Sequence, residues 1–235
     1  MASLITAIGI TKRYGRGSAA VTALDDVSFS VEKGTVTIIL GPSGAGKTTL
    51  LNILGAMDVA TSGILAVDGD NVLAYNAKQR SAYRRNKVSF VFQTYNLLAN
   101  LSTRENIVLA TEMKRERCGD IDKTIEDVGL KHRFSNFPAQ LSGGEQQRVS
   151  IARALAKNAD ILLCDEPTGA LDSETGKMVL SLLCHAARNE GKAVIIVTHN
   201  SALEQLGDHL IKLKNGKIVS DEKLDHPKTI EEIDW

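Results

Sequence analysis

Apolar and polar residues follow two different periods along this chain, and the changes of period mark its elements. Leu4–Ile10 and Asp26–Val31 read as strands joined by the glycine-bearing stretch RYGRGSAAVTAL, which predicts part of an antiparallel edge sheet. Val36–Leu40 (VTIIL) is a short apolar run typical of a buried strand. It leads into GPSGAGK, after which TTLLNILGAM takes on a helical period. Residues 61–75 alternate around two glycines and predict a hairpin in the same edge sheet. A charged helix over Ala77–Arg85 precedes a second core strand, VSFVFQ.

From Asn100 to about Ala156 helical periods dominate and no strand is predicted. ILLCDEP then reads as a third core strand, residues 173–190 as a helix, and AVIIVTHN as a fourth strand. DHLIKLKNGKIVS places Asn-Gly between two short runs, a strong hairpin signal. Residues 221–235 carry six acids against two lysines, and are expected to form a short helix or a partly ordered tail.

Composition narrows the classes of function. The 28 basic and 28 acidic side chains give zero formal charge, which removes any general electrostatic reason to bind nucleic acid or a bilayer. With aromatics at only 4%, the core must rest on Leu, Ile, Val and Ala. No apolar run reaches the roughly 18 residues of a membrane-spanning helix, and the opening stretch reads as a strand instead of a leader. Cys118, Cys164 and Cys184 lack CxxC spacing and suggest reduced thiols in a cytoplasmic setting.

The chemistry concentrates at strand ends. Gly41, Pro42, Ser43, Gly44, Ala45, Gly46, Lys47 and Thr48 fit GxxxxGK[ST] in every position, between an apolar strand and a helix. Glycines let successive N–H groups converge on phosphates, and the helix adds its positive end. Lys47 is expected to reach the terminal phosphates of ATP, Thr48 to bind Mg²⁺, and Thr49 to line the same site. In ILLCDEP, Asp165 at the strand tip is expected to hold the magnesium ion, and Glu166 to orient or deprotonate a water. Cys164 reads as core filling.

Between these two halves lies LSGGEQQR. Ser142 and Glu145 have the spacing of a capping box, so Ser142, Gly143 and Gly144 start a helix whose exposed turn is a second phosphate-binding device. One chain with two such devices implies either two ligands or one ligand shared between copies.

GPSGAGKT, LSGGE and ILLCDE, with LDS at 171–173 and a histidine after the last core strand, stand in the order found in the ATP-binding cassette (ABC) ATPases, which this sequence resembles. The resemblance implies an α/β fold: a P-loop NTPase core with an N-terminal antiparallel β-subdomain and an inserted helical subdomain. The whole of 1–235 then forms one cassette domain. Residues 1–93 and 157–220 make the nucleotide-binding core and β-subdomain, 94–156 the helical subdomain, and 221–235 an acidic tail. It further implies a homodimer of cassettes on ATP binding, with Ser142, Gly143, Gly144 and Glu145 closing over the nucleotide of the opposite copy. By the same resemblance Tyr14 matches an adenine-stacking aromatic. Gln93 matches a residue that contacts magnesium and water, Asp172 one in the loop crossing between cassettes, and His199 a γ-phosphate switch.

Within the family, VTALDDVSFSVEKG, QTYNLLANLSTRENIVLA and DEPTGALDSETGK are most similar to the subgroup serving lipoprotein release, macrolide or peptide export and cell division. Glu145 stands where that subgroup often carries glutamine. The subgroup implies a transmembrane permease partner with an extracytoplasmic domain, and a cassette held on the inner face of the membrane through it. Tyr95, Leu97 and Leu98 are expected in the groove that receives this partner. Two other functions stay open at this stage: a mechanotransmission subunit that regulates an envelope or peptide-sensing partner, and a soluble DNA- or ribosome-associated ATPase. No direct nucleic-acid partner is expected, because no heptad run or second cassette is present.

Overall fold

The computed structural model describes residues 3–112 and 118–233. Residues 113–117 of the expected helical lobe, and the last two of the expected tail, lie outside the described residues.

Two sheets divide the strands by neighbourhood. The four-stranded edge sheet has the order β2-β1-β4-β5, from β1 (Ser3–Tyr14), β2 (Val21–Glu32), β4 (Ser62–Val67) and β5 (Asp70–Asn71). All of its pairings are antiparallel. Strands β1 and β2 run well beyond their sequence-predicted spans because bulges absorb register shifts at Ala7/Ile10 and Ile10/Lys12. The extension carries Tyr14 into the end of β1.

The six-stranded core sheet has the order β10-β9-β3-β8-β7-β6. Strands β3 (Val36–Leu40), β6 (Val88–Val91), β7 (Ile161–Asp165), β8 (Ala193–Thr198) and β9 (His209–Lys214) pair in parallel. Strand β10 (Lys217–Lys223) closes the edge by an antiparallel hairpin whose turn residues Asn215 and Gly216 have φ of 50° and 75°. Along β3, Val36 and Ile38 enter one apolar core while Ile39 enters another, so both faces of the sheet are covered. That is why these strands read as unbroken apolar runs.

Helix α1 (Lys47–Leu54) lies with the edge sheet on one side of the core sheet. On the other side pack α5 (Gly143–Ala156) and α6 (Ser173–Arg188). Helix α2 (Ala77–Asn86) begins with a capping box between Asn76 and Gln79. Helices α3 (Thr103–Glu112) and α4 (Ile121–Asp127) pack with α5, and the described part of 94–156 contains helices and turns but no strand.

Three further elements differ from the sequence reading. Helix α1 stops at Leu54, because Gly55 presses on Phe90 and Ala56 turns to φ 51°. Strand β6 ends at Val91, so Gln93 lies in the turn beyond the strand and not at its end. Of the short helix or partly ordered tail expected for 221–235, no helix is present among the described residues: Asp221–Lys223 continue β10, while Leu224, Ile230 and the buried Ile233 pack on the core. Burial of those apolar side chains outweighs the acidic character of the segment.

Candidate functional site

The parallel strands end side by side. Leu40 is opposite Thr198, and Asp165 is opposite Val197. The Gly41 N–H donates to Thr198 O at 3.3 Å, and the Glu166 N–H to Val197 O at 3.0 Å. These bonds bring the loop after β3 and the acids after β7 to the same edge, where ligands bind in open α/β sheets.

A cleft of about 290 Å³ opens there, lined by Ala23, the loop Ser43–Thr49, Gln93, Asp165, Glu166 and His199. The glycines of the loop are required by space as well as by angle. A Cβ on Gly41 would lie 2.2 Å from Leu213 O, and one on Gly46, whose φ is 103°, 2.5 Å from Ala23 O. The Lys47 side chain is buried to 8% exposure, and its ammonium donates to Gly41 O at 2.7 Å and Pro42 O at 3.1 Å. Those carbonyls fix the lysine beneath its own loop, at the start of α1.

Thr48 Oγ1 donates to Asp165 Oδ2 at 3.0 Å. Burial raises the Asp165 carboxyl above its ordinary range, and the Glu166 charge adds to that effect. The Thr48 hydrogen bond and the Lys47 charge oppose it. Hydroxyl, carboxylate and the nearby Gln93 amide form an all-oxygen donor set, the kind that suits a hard divalent cation such as Mg²⁺.

Glu166 has the left-handed φ of 49°, uncommon for a residue with a long side chain. Its carboxylate is held from both sides: Thr198 Oγ1 donates to Oε2 at 3.0 Å, and His199 Nδ1 lies 2.8 Å from Oε1. Thr198 Oγ1 also accepts the Asn200 N–H at 3.0 Å. Sequence reasoning missed Thr198; its one trace was a polar residue closing an apolar strand just before His199. Cys164, wholly buried, has its thiol pushed up by burial, as befits a packing residue.

Of the remaining sequence-predicted residues, Tyr14 borders the cleft through Thr49, and the others stand outside it. Tyr14 is 43% exposed, with its hydroxyl on Asp58 at 2.7 Å and Lys12 Nζ 4.7 Å from the ring centre. Ser142 caps α5 in a complete capping box with Glu145, and Arg133 Nε donates to Glu145 at 2.9 Å. Gly143 and Gly144 follow on the first turn, with Gly144 against Ala170 and Leu171. Asp172 caps α6 by accepting the Thr175 N–H at 2.9 Å, which lowers its carboxyl pKa. One chain therefore brings together the phosphate loop, Gln93, Asp165, Glu166 and His199, but not the turn at Ser142.

A family model described as ABC transporter matches residues 24–169. The macrolide export ATP-binding/permease protein MacB of Neisseria meningitidis is 42% identical over 93% of this chain and 34% of its own length. A putative ABC transporter ATP-binding protein of Mycoplasma pneumoniae, the MG065 homolog, is 40% identical over 96% of this chain and 49% of its own. The chain thus spans about a third to a half of the length of these curated relatives. Among solved structures, the dimeric bacterial ABC transporter cassette MJ0796 is 38% identical, with a TM-score of 0.88, over 94% of this chain and 98% of that one. A post-hydrolysis dimer of the same cassette, bound to ADP and Pi, has a TM-score of 0.87.

Proposed function

The chain belongs to the ABC transporter family, and from that premise we propose that it is an ATP-binding and ATP-hydrolysing cassette that works as one of two copies. The observation that carries this reading is the two-sided grip on Glu166 at the mouth of a phosphate-loop cleft. A carboxylate held at both oxygens has a fixed direction, so it orients an attacking water instead of rotating freely.

In this reading the Gly41–Gly46 loop and the α1 N-terminus receive the β- and γ-phosphates, and Lys47 turns from its loop carbonyls to the ligand. Thr48, Asp165 and Gln93 hold Mg²⁺, which when bound neutralises charge developing on the phosphates. Glu166 takes the proton of the attacking water, with His199 and Thr198 fixing its position. Tyr14 offers an aromatic face to the base. Ser142, Gly143 and Gly144 stand away from this cleft and serve the nucleotide of a second copy, while Asp172 lies beside them at the dimer seam.

Among the described residues no helix is long and apolar enough to cross a membrane. Attachment to the inner face of a membrane therefore rests on a permease, in keeping with the ATP-binding/permease naming of relatives longer than this chain. We assign that permease an extracytoplasmic domain, and the work done to export or extraction of a hydrophobic compound, peptide or lipoprotein. Replacing Glu166 by Gln tests the core of the reading. Phosphate release should fall to background while ATP drives the variant into dimers; retained turnover would refute the role of Glu166.

A further inference from the structure

Tyr95 and Asn96 are consecutive non-glycine residues with φ of 59° and 50°, a strained pairing just after Gln93. Both of their carbonyls are claimed by one side chain. Arg153 donates through one terminal nitrogen to Asn96 O at 2.6 Å and through the other to Tyr95 O at 2.8 Å. The guanidinium is partly buried, and that burial lowers its pKa without removing its charge at neutral pH. These are charge-assisted bonds from a planar fork, which holds two acceptors in one fixed geometry.

The same loop reaches the other end of α5. A Cβ built on Gly143 would lie 3.3 Å from Tyr95 Oη. Arg153 sits eleven positions after Ser142, roughly 16 Å along the helix. Tyr95 therefore spans the interval, its backbone fixed by Arg153 and its hydroxyl close to the turn that Ser142 begins. Relaxation of the left-handed pair would carry this ring away from Gly143.

We propose that Arg153 is a positioning residue which, through Tyr95, sets the turn at Ser142–Gly144 relative to Gln93, so that the loop after Gln93 and the surface offered to a second copy move together. The inference rests on the shared-site reading above and adds a specific mechanical link to it. The strained backbone pair then stores a conformation that one ion-dipole clasp holds in place. Neither residue lines the phosphate cleft, so loss of the clasp should leave binding to a single copy intact.

The test uses the full chain with Glu166→Gln as parent, read by sedimentation across an ATP titration, with a fluorescent ATP analogue reporting monomer affinity. Arg153→Gln should raise the ATP concentration for half-maximal dimerisation by roughly tenfold, the scale of one lost charge-assisted contact, and Tyr95→Ala, which keeps the carbonyl but removes the ring beside Gly143, should raise it in the same direction. Monomer nucleotide affinity should stay within about twofold, and Arg153→Lys should recover part of the loss by restoring one donor. A dimerisation midpoint unchanged in both variants, whatever happens to melting temperature, would overturn the link while leaving the shared site standing. An equal loss of monomer affinity would place the effect in the phosphate cleft and also overturn it. A parent that never dimerises would remove the shared site itself, and the link with it. Should Arg153→Gln fail to fold, Tyr95→Ala decides.

Discussion

Thr198 Oγ1 and Glu166 Oε2 lie 3.0 Å apart, and the same hydroxyl accepts the Asn200 N–H at 3.0 Å. One buried threonine thereby ties the end of β8 to the carboxylate that follows β7. Thr198→Val keeps the shape of the side chain and removes both bonds. Phosphate release is expected to fall about tenfold or more, since orientation of a general base is worth that much. Nucleotide affinity should be unchanged, and Thr198→Ser should restore most of the rate. A Val variant with full turnover would mean that His199 alone holds Glu166.

Lys47→Ala tests the other half of the cleft. The ammonium donates to two loop carbonyls and lines the cleft, so Ala takes from the phosphate site its lysine and from those carbonyls their charged donor. Nucleotide affinity by titration is expected to fall roughly ten- to hundredfold, the range for hydrogen bonds to a charged group.

Glu145 makes a pH-dependent contribution. Its pKa is lowered first by the Ser142 N–H and further by Arg133, so the folded state favours the ionised form. Stability from a depressed glutamate is present above its ordinary pKa of 4.5 and is lost as the pH falls below it through the folded value. Glu145→Gln keeps the cap acceptor but not the ion pair. Urea unfolding should show a loss of a few tenths to about 1 kcal/mol at pH 7, shrinking as the pH is lowered below 4.5.

Gly55 ends α1 against an aromatic ring. A Cβ there would lie 1.8 Å from Phe90 Cζ, and Phe90 is itself stacked on Phe92 at 5.0 Å. Gly55→Ala should destabilise the fold by about 1–3 kcal/mol, with part of the loss relieved in Gly55→Ala/Phe90→Leu. Additive effects of the two changes in chemical unfolding would contradict the contact.

What was legible in the sequence follows from how local each signal is. GPSGAGKT between an apolar strand and a helix, the Asn215-Gly216 turn and the Ser142/Glu145 cap are each set by residues within a few positions, and all three are present. Long-range consequences were not readable. The stop of α1 at Leu54 depends on Phe90, far along the chain. Thr198 acquires its role only because β7 and β8 pair in parallel at one register. The six acids of the tail suggest a solvent-bound segment, yet the spacing of Leu224, Ile230 and Ile233 lets it pack on the core. Asn96 readily takes a left-handed φ, but nothing local marks Tyr95 for one, since Arg153, which holds the pair, lies on another element.

The central claim is that each nucleotide is gripped by the Lys47 loop of one copy and the Ser142 turn of another. Mixing a Lys47→Ala chain with a Ser142→Arg chain tests it, because only a mixed dimer with shared sites contains one intact site. Separately, each variant should be inactive; mixed in equal amounts, phosphate release should rise toward about a quarter of the unaltered protein's rate, as random pairing of two-site dimers gives. Activity in the mixture that never exceeds the mean of the separate proteins, at any ratio and at saturating ATP, would contradict the shared site.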